Sequence, residues 1–433
     1  MRINRPMMSG VVSVLTVAAL LGGCGNPALS PLEGARSAQG LSASQALDEP
    51  DIPLNELPTE ELQIPFHPSR SPQRITHGNS AKLHIFATQN LPALKSMIAG
   101  AKQSVYVEVF NFANDSMGRH IVPLLVEKAK AGLEVKVVMD YVGSRFLKGH
   151  KAMIHELREA GVDVRNYRPR LVKKGDRRIG VNITHRKVYL VDGEVAMVGG
   201  VNLMAEFDTS VQDVLMEMRG PVVGQLYNEF AYDWHQAKGG TLKQVAKTAR
   251  AGDVDARVVV TSPGEGRFEA RDAFYEAVDE ANREILIEQQ YLWDDKLVHK
   301  LSNAVRRGVK LRVIVPGHSD SWKNIHAGEL KRLGELGAQT RVYHGIKEDA
   351  HLHAKVIIVD DSWAVVGSIN GDTRALIENQ EIGVITRDGA TVADLKNRMF
   401  ERDWTHNSKP AVYSDKWYIK PVRSLMELID YYL

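Results

Sequence analysis

The sequence predicts an α/β protein made of two similar halves, each a mixed or mostly parallel sheet flanked by helices. Three observations carry this expectation. Strand-like and helix-like segments alternate from Lys82 to Tyr167, and the same order returns from Glu284 to Tyr343. A segment from His185 to Asp213 also recurs, without a gap, from His353 to Glu381.

In the first half, Lys82 to Ala87 reads as a short strand and Leu91 to Ala101 as a helix. Ser104 to Phe110 (SVYVEVF) is β-branched and aromatic, the composition of a buried strand. From Met117 to Ala131, Ile121, Leu124, Leu125 and Ala129 recur at helical spacing, and Gly132 is a typical C-terminal stop. A strand from Glu134 to Asp140, a helix from Ala152 to Ala160 ending at Gly161, and a strand from Val162 to Tyr167 follow. The second half gives strand Glu284 to Glu288, helix Asp295 to Arg307 stopped by Gly308, strand Lys310 to Pro316, a helix to about Gly337 and strand Gln339 to Tyr343. Such alternation implies right-handed crossovers and a sheet covered on both faces. The likeness of AKAGLEVKVVMD from Ala129 to AVRRGVKLRVIVP from Ala304 extends the duplication to a whole domain. A boundary is expected between Gly239 and Gly252, where the core pattern is lost. The tail from Lys416, with Trp417, Tyr418, Tyr431 and Tyr432, reads as a helix packed on the second domain.

In the repeated segment a lysine follows each histidine by two positions (Lys187, Lys355) and an aspartate by seven (Asp192, Asp360). A glycine follows at fourteen (Gly199, Gly367), an asparagine at seventeen (Asn202, Asn370) and a carboxylate at twenty-eight (Asp213, Glu381). Composition alone would produce one HxKxxxxD triplet in such a chain with a probability of roughly 5%. Two copies in register with their trailing residues mark a duplicated catalytic unit. Each copy reads strand, turn, strand, and alternate residues of a strand share a face, so His185 and Lys187, like His353 and Lys355, point the same way. A histidine beside a lysine suits a phosphate group: the ammonium meets its oxygens and the imidazole lies near phosphorus. Histidine and carboxylates also bind metals, but a lysine would repel one, and there is no HExxH motif or cysteine ligand set. Metal-free charge stabilisation is therefore expected, with no metal and no cofactor.

At 433 residues and 44% hydrophobic content, the chain can build two cores, and its net charge of +2 is too small to mark a polyanion binder by bulk electrostatics. Its one cysteine excludes an intramolecular disulfide framework. Cys24 follows Arg2, Arg5, an apolar run from Val11 to Leu21 and two glycines. That run is shorter than the roughly 20 residues that span a bilayer, and reads as a signal peptide. The arrangement resembles the lipobox of bacterial lipoproteins, which implies lipidation of Cys24 and an exported, lipid-anchored protein of the bacterial envelope, on the outer membrane if the cell is Gram-negative. Eight of the 17 prolines and an acidic cluster then fall before Gly78, a composition that cannot bury enough surface to order itself. The expected organisation is a signal peptide at 1–23, a disordered tether at 24–78, and two similar domains at 79–245 and 246–433.

Two HxKxxxxD motifs, each followed by GGxN or GSxN, resemble the phospholipase D superfamily. HRKVYLVDGEVAMVGGVN, VPGHSDS from Val315 and GSINGDTRALIENQE from Gly367 resemble the bacterial cardiolipin synthases within it. The likeness covers Lys82 to Trp404. It implies two phospholipase D-like domains packed face to face as a pseudo-two-fold pair that share one active site. It also implies a phosphohistidine intermediate: one histidine attacks phosphorus, and the other protonates the leaving oxygen and then activates an alcohol or water. By this analogy His185 is the nucleophile and His353 the acid/base, a choice the sequence symmetry itself does not make. Lys187 and Lys355 clamp the phosphate, Asn202, Asn370 and Ser368 contribute to binding and orientation, and Asp213 and Glu381 orient the histidines. Asp192 and Asp360 complete the catalytic motif, with a structural role expected at the strand turn. Two departures leave the acceptor open: Ala375 stands where the synthases usually have serine, and Gly200 where the second copy has Ser368. The implied partners are a phospholipid substrate in a membrane surface and an alcohol or water acceptor. An exported nuclease using the same site is the second reading. It draws on the basic run Arg165, Arg168, Arg170, Lys173, Lys174, Arg177 and Arg178, which is otherwise a solvated loop or a contact for anionic headgroups. A non-catalytic envelope binding protein is a third, and leaves two complete motifs unexplained.

Overall fold

A computed structural model describes residues 73–412, apart from 175–176, 243–247, 318–319 and 346–350. The expectations about Cys24, most of the tether and the aromatic tail lie outside these residues.

The first half contains β1 (Thr76–Ile85), α1 (Ala87–Ala99), β2 (Ser104–Val109), α2 (Ser116–Lys130), β3 (Glu134–Asp140), α3 (His150–Glu159) and β4 (Asp163–Tyr167). It continues with a hairpin of β5 (Arg170–Lys174) and β6 (Arg177–Asn182), then β7 (Val188–Val191), β8 (Val195–Gly199), β9 (Val211–Gln212), β10 (Val214–Arg219) and α4 (Val222–Gln236). The second half has β11 (Val254–Ser262), β12 (Arg267–Phe268), α5 (Glu269–Glu280), β13 (Glu284–Gln289), α6 (Asp295–Arg306), β14 (Lys310–Pro316), α7 (Asp320–Glu335) and β15 (Gln339–Tyr343). It ends with β16 (His351–Leu352), β17 (Lys355–Val359), β18 (Trp363–Gly367), β19 (Glu381–Thr386), α8 (Gly389–Leu395) and β20 (Ser408–Pro410). Local chemistry sets the helix limits: Asp115 accepts from the Gly118 amide to cap α2, Asp294 caps α6 through Leu297, and Gly132 (φ 86°) follows α2 in a conformation that glycine adopts without strain.

Along the main sheet the strand order is β20-β15-β14-β13-β17-β18-β19-β11-β1-β10-β8-β7-β2-β3-β4, with β12 attached to β11. The order is the same read outward from the antiparallel β1–β11 pair, where Thr76 faces Ala256 and Asn79 faces Val254. In each half three successive strands are parallel (β2-β3-β4 and β13-β14-β15) and those between them and the seam are antiparallel, while β20 adds an antiparallel edge strand to β15 in the second half.

Side-chain alternation then divides the core. Val188 and Leu190 of β7, with Val356 and Ile358 of β17, enter one central cluster built from both halves. Tyr189 and Val191 enter an outer cluster under α1, α2 and α3, while Ile357 and Val359 enter its counterpart under α5 and α6. One face of each half-sheet is thus covered by helices, and the other joins a core shared with the opposite half, α4 and α8. Leaving a buried aliphatic side chain exposed costs about 1.5–3 kcal/mol, so neither half keeps its inner face dry alone.

Two expectations change. The tether stops short of residue 78, because Thr76 to Gly78 already belong to β1 and bond to β11. The basic run is not simply a solvated loop: β5 and β6 form a two-stranded hairpin within it. Arg165 pairs with Asp163, Arg168 lies over the Tyr141 ring, and Arg170 bonds to Gln236. No helix of the described residues is long and apolar enough to cross a membrane.

Candidate active site

The extended residues before each histidine pair with those before the carboxylate of the other copy. Thr184 bridges Gln380, and the His185 amide donates to the Gln380 carbonyl at 2.9 Å. Symmetrically, Leu352 of β16 lies beside Gln212 of β9, and the His353 amide donates to the Gln212 carbonyl at 2.9 Å. This backbone pairing carries the side chains across the pseudo-two-fold. His185 Nδ1 lies 2.9 and 3.1 Å from the two Glu381 carboxylate oxygens, and His353 Nδ1 lies 2.6 Å from Asp213 Oδ2. The histidine–carboxylate pairs are therefore crossed between copies, an arrangement that equal spacing within each copy does not reveal.

Both carboxylates are buried, and His353 is nearly so, while His185 keeps 13% of its side chain exposed. Burial pushes Asp213 up to about 7 against the pull of the Lys355 ammonium, and Glu381 up to about 7 against that of Lys187. Burial, helped by the charges of Lys187 and Lys355, holds both histidines well below their ordinary value. Burial thus disfavours the imidazolium form, and with Nδ1 facing a carboxylate on each ring, Nε2 is the nitrogen left for chemistry. Aromatic edges fix the rings: Phe110 packs on His185 at 5.1 Å between centroids and Phe207 on His353 at 4.9 Å.

Lys187 Nζ donates to the His185 carbonyl at 2.7 Å and lies over the Phe110 ring. Lys355 Nζ instead donates to Gln290 Oε1 at 2.8 Å and to the His353 carbonyl, and lies 2.9 Å from His353 Nδ1. Asn202 takes the Asn111 amide on its Oδ1, and its buried Nδ2 finds no hydrogen-bond partner among the described residues; the same holds for Asn370 Oδ1.

The glycine–serine difference between copies also has a geometric cause. A Cβ at Gly200 would sit 2.4 Å from Asp213 Oδ2, so the first copy has room only for hydrogen there. In the second copy the Ser368 hydroxyl donates to Glu381 Oε2, and the Ile382 amide donates to that hydroxyl at 3.1 Å. The shorter carboxylate thus goes with glycine and the longer one with a serine that holds it.

Asp192 and Asp360, although members of the catalytic motif, stand away from the histidines at the turns after β7 and β17. Asp192 accepts the amides of Lys102, Gln103 and Ser104, and Asp360 those of Asn282, Arg283 and Glu284. Both sit at positive φ (55° and 53°), which aspartate tolerates better than most side chains. Their part is to fasten the motif turn to the start of the neighbouring strand.

Sequence reasoning missed the buried polar support. Arg186, between His185 and Lys187 and so on the opposite strand face, is fully buried, with Asp233 at 2.7 Å and Glu229 at 3.4 Å; Arg267 joins Glu229 at 3.0 Å. Glu108 accepts from the Thr184 hydroxyl at 2.7 Å, and Asp140 accepts the Thr184 amide. The second copy has Ala354 in place of Arg186, and Glu288 lies buried beside Asp403 and Gln212. A third polar residue between His185 and Lys187, directed away from their shared side, was the available signal for Arg186; Glu108 and Glu288 precede their histidines by unequal intervals and gave none. Ala375 is buried in the outer core of the second half.

One family model, described as "Cardiolipin synthase, PLD-like domain", matches residues 94–234 and again 274–404. Cardiolipin synthase A of Pseudomonas aeruginosa is 30% identical over 341 residues, 76% of this chain and 68% of its own length. The major cardiolipin synthase of Bacillus subtilis is 28% identical over 344 residues, 76% of this chain and 70% of that one. Among solved structures, phosphatidylserine synthase of Haemophilus influenzae is similar in fold, with a TM-score of 0.62 at 12% identity, over 83% of this chain and 94% of that one. The chain belongs to the cardiolipin synthase-like branch of the phospholipase D superfamily and is a phospholipase D-like phosphatidyltransferase.

Proposed function

We propose that the enzyme transfers a phosphatidyl group from a phospholipid to an alcohol, as a cardiolipin synthase would, or to water, through a phosphohistidine. The observation that carries this reading is the pair of histidines, each with Nδ1 on a buried carboxylate and each beside a lysine. His185 Nε2 attacks phosphorus, and the bond from phosphorus to the leaving oxygen breaks as that oxygen takes a proton from His353. The incoming hydroxyl then gives its proton to His353 and attacks phosphorus, breaking the P–N bond and restoring His185. Glu381 stabilises the charge that develops on His185, and Asp213 supports the imidazolium form of His353. An arriving phosphodiester brings negative charge between Lys187 and Lys355, which offsets their effect on His353 and favours its protonation. Asn202 and Asn370 bond the phosphate oxygens.

The two halves correspond to a first domain that starts with β1 at Thr76 and runs to 245 and a second at 246–433, tethered to a membrane of the cell envelope through a lipid on Cys24. In the test, full-length protein and its His185→Ala and His353→Ala variants are incubated in EDTA with phosphatidylglycerol, with phosphatidylcholine plus a primary alcohol, and with plasmid DNA. Chelator-resistant lipid turnover that both substitutions abolish supports the reading. DNA cleavage without lipid turnover would replace it with the nuclease.

A further inference from the structure

The chain between β3 and α3 forms a compact loop fastened beside the site. Asp140 accepts the amides of both Gly143 and Thr184, the residue before His185. Asn111 Nδ2 donates to the Gly143 carbonyl, and the Ser144 hydroxyl joins the Phe110 carbonyl to the Phe112 amide. Only three large hydrophobic side chains of the described residues are exposed: Ile75, Phe146 and Val412. Ile75 and Val412 lie at the ends of the described chain, whereas Phe146, 58% exposed, stands on this well-bonded loop. The Arg145 guanidinium lies 4.4 Å from its ring centroid and donates to the Tyr141 hydroxyl at 2.8 Å, and Arg168 lies 5.3 Å from the Tyr141 ring. Leu147 is half-buried and Lys148 exposed. The hairpin that begins two residues after Arg168 pairs Lys173 with Arg178 and Lys174 with Arg177 in backbone register.

We propose that the loop Arg145 to Lys148 is a docking element for an anionic phospholipid surface, with the Phe146 ring entering the bilayer interface and the surrounding cations meeting headgroup phosphates. An aromatic ring stacked with a guanidinium suits the headgroup region, where one end of the pair is apolar and the other wet. The loop's bonds to Phe110, Asn111 and Thr184 hold the site's mouth in register with that surface, so a lipid can reach His185 without leaving the bilayer. This inference rests on the phospholipid reading above.

The test compares full-length wild type with Phe146→Asp and Phe146→Trp on phosphatidylglycerol vesicles and on dihexanoyl phosphatidylglycerol below its micelle concentration. The Phe146→Asp variant is expected to lose about tenfold or more in vesicle turnover, from the lost transfer of one aromatic side chain, and to keep its rate on the monomeric lipid within about twofold. Phe146→Trp should retain both rates, and its added fluorescence should be quenched by brominated phosphatidylglycerol vesicles. Equal loss on both substrates, unchanged vesicle turnover in Phe146→Asp, or an effect confined to DNA binding would overturn the proposal. If no phospholipid were turned over at all, the functional reading would fail, while quenching of the tryptophan would still decide the docking.

Discussion

Replacing Glu381 by Gln removes the charge that faces His185, and replacing Asp213 by Asn removes the charge that faces His353. The crossed geometry predicts that each variant imitates loss of the histidine in the other copy. Both contacts are buried, at 2.9 Å and 2.6 Å, and hydrogen bonds to charged groups contribute about 1.5–3 kcal/mol, so each substitution should slow its step about ten- to hundredfold. The assay is a phosphodiester with a nitrophenolate leaving group, which departs without a proton. Glu381→Gln should then resemble His185→Ala, with slow release and no burst. Asp213→Asn should resemble His353→Ala, releasing nitrophenolate in an initial burst and then stalling with phosphorus held on the enzyme. If Asp213→Asn instead tracked His185→Ala, each carboxylate would be serving its own copy and the crossed pairing would be wrong.

Other substitutions probe the rest of the site. Gly200→Ser drives a Cβ to within 2.4 Å of Asp213 and should cost activity more than a hundredfold on the basis of about 3 kcal/mol of lost support for His353, measured as kcat, whereas Ser368→Ala only loosens Glu381 and should cost about tenfold. Asp192→Ala strips an acceptor from three amides at a positive-φ turn and should lower stability by about 2 kcal/mol in urea unfolding; Asp192→Asn should lose less, with activity per folded molecule retained. Burial raises Asp140 to about 7, so the folded chain holds its proton between the ordinary carboxyl range and neutrality. Its contribution to stability is full below pH 4 and is lost as pH rises toward and through 7, at up to roughly 1.4 kcal/mol per pH unit. The two buried histidines, held low, act in the opposite sense below about pH 6.5. The difference between wild type and Asp140→Asn across pH 5 to 8 isolates the aspartate, and parallel curves would contradict the assignment.

The expected order of β2, α2, β3, α3 and β4, and of β13, α6, β14, α7 and β15, agrees with the structure because each element has its own periodicity and stop. β1 was expected to start at Lys82 and instead starts at Thr76. β11 was not anticipated, since nothing in Val254 to Ser262 repeats a motif and its role as the central seam depends on a partner far away in the chain. The hairpin β5–β6 was masked by its run of like charges, which reads locally as a solvated loop.

By itself the sequence determined the duplication, the residue types of the site and the strand faces on which they stand, because gapless register and alternation are local properties of the chain. Tertiary structure alone decided which carboxylate serves which histidine. Thr184 lies beside Gln380 and Leu352 beside Gln212, and that pairing of distant segments carries Glu381 to His185 and Asp213 to His353. It also decided why one copy needs Gly200 and the other Ser368: the space around a buried carboxylate depends on the length of its side chain and on where the opposing histidine fixes its end.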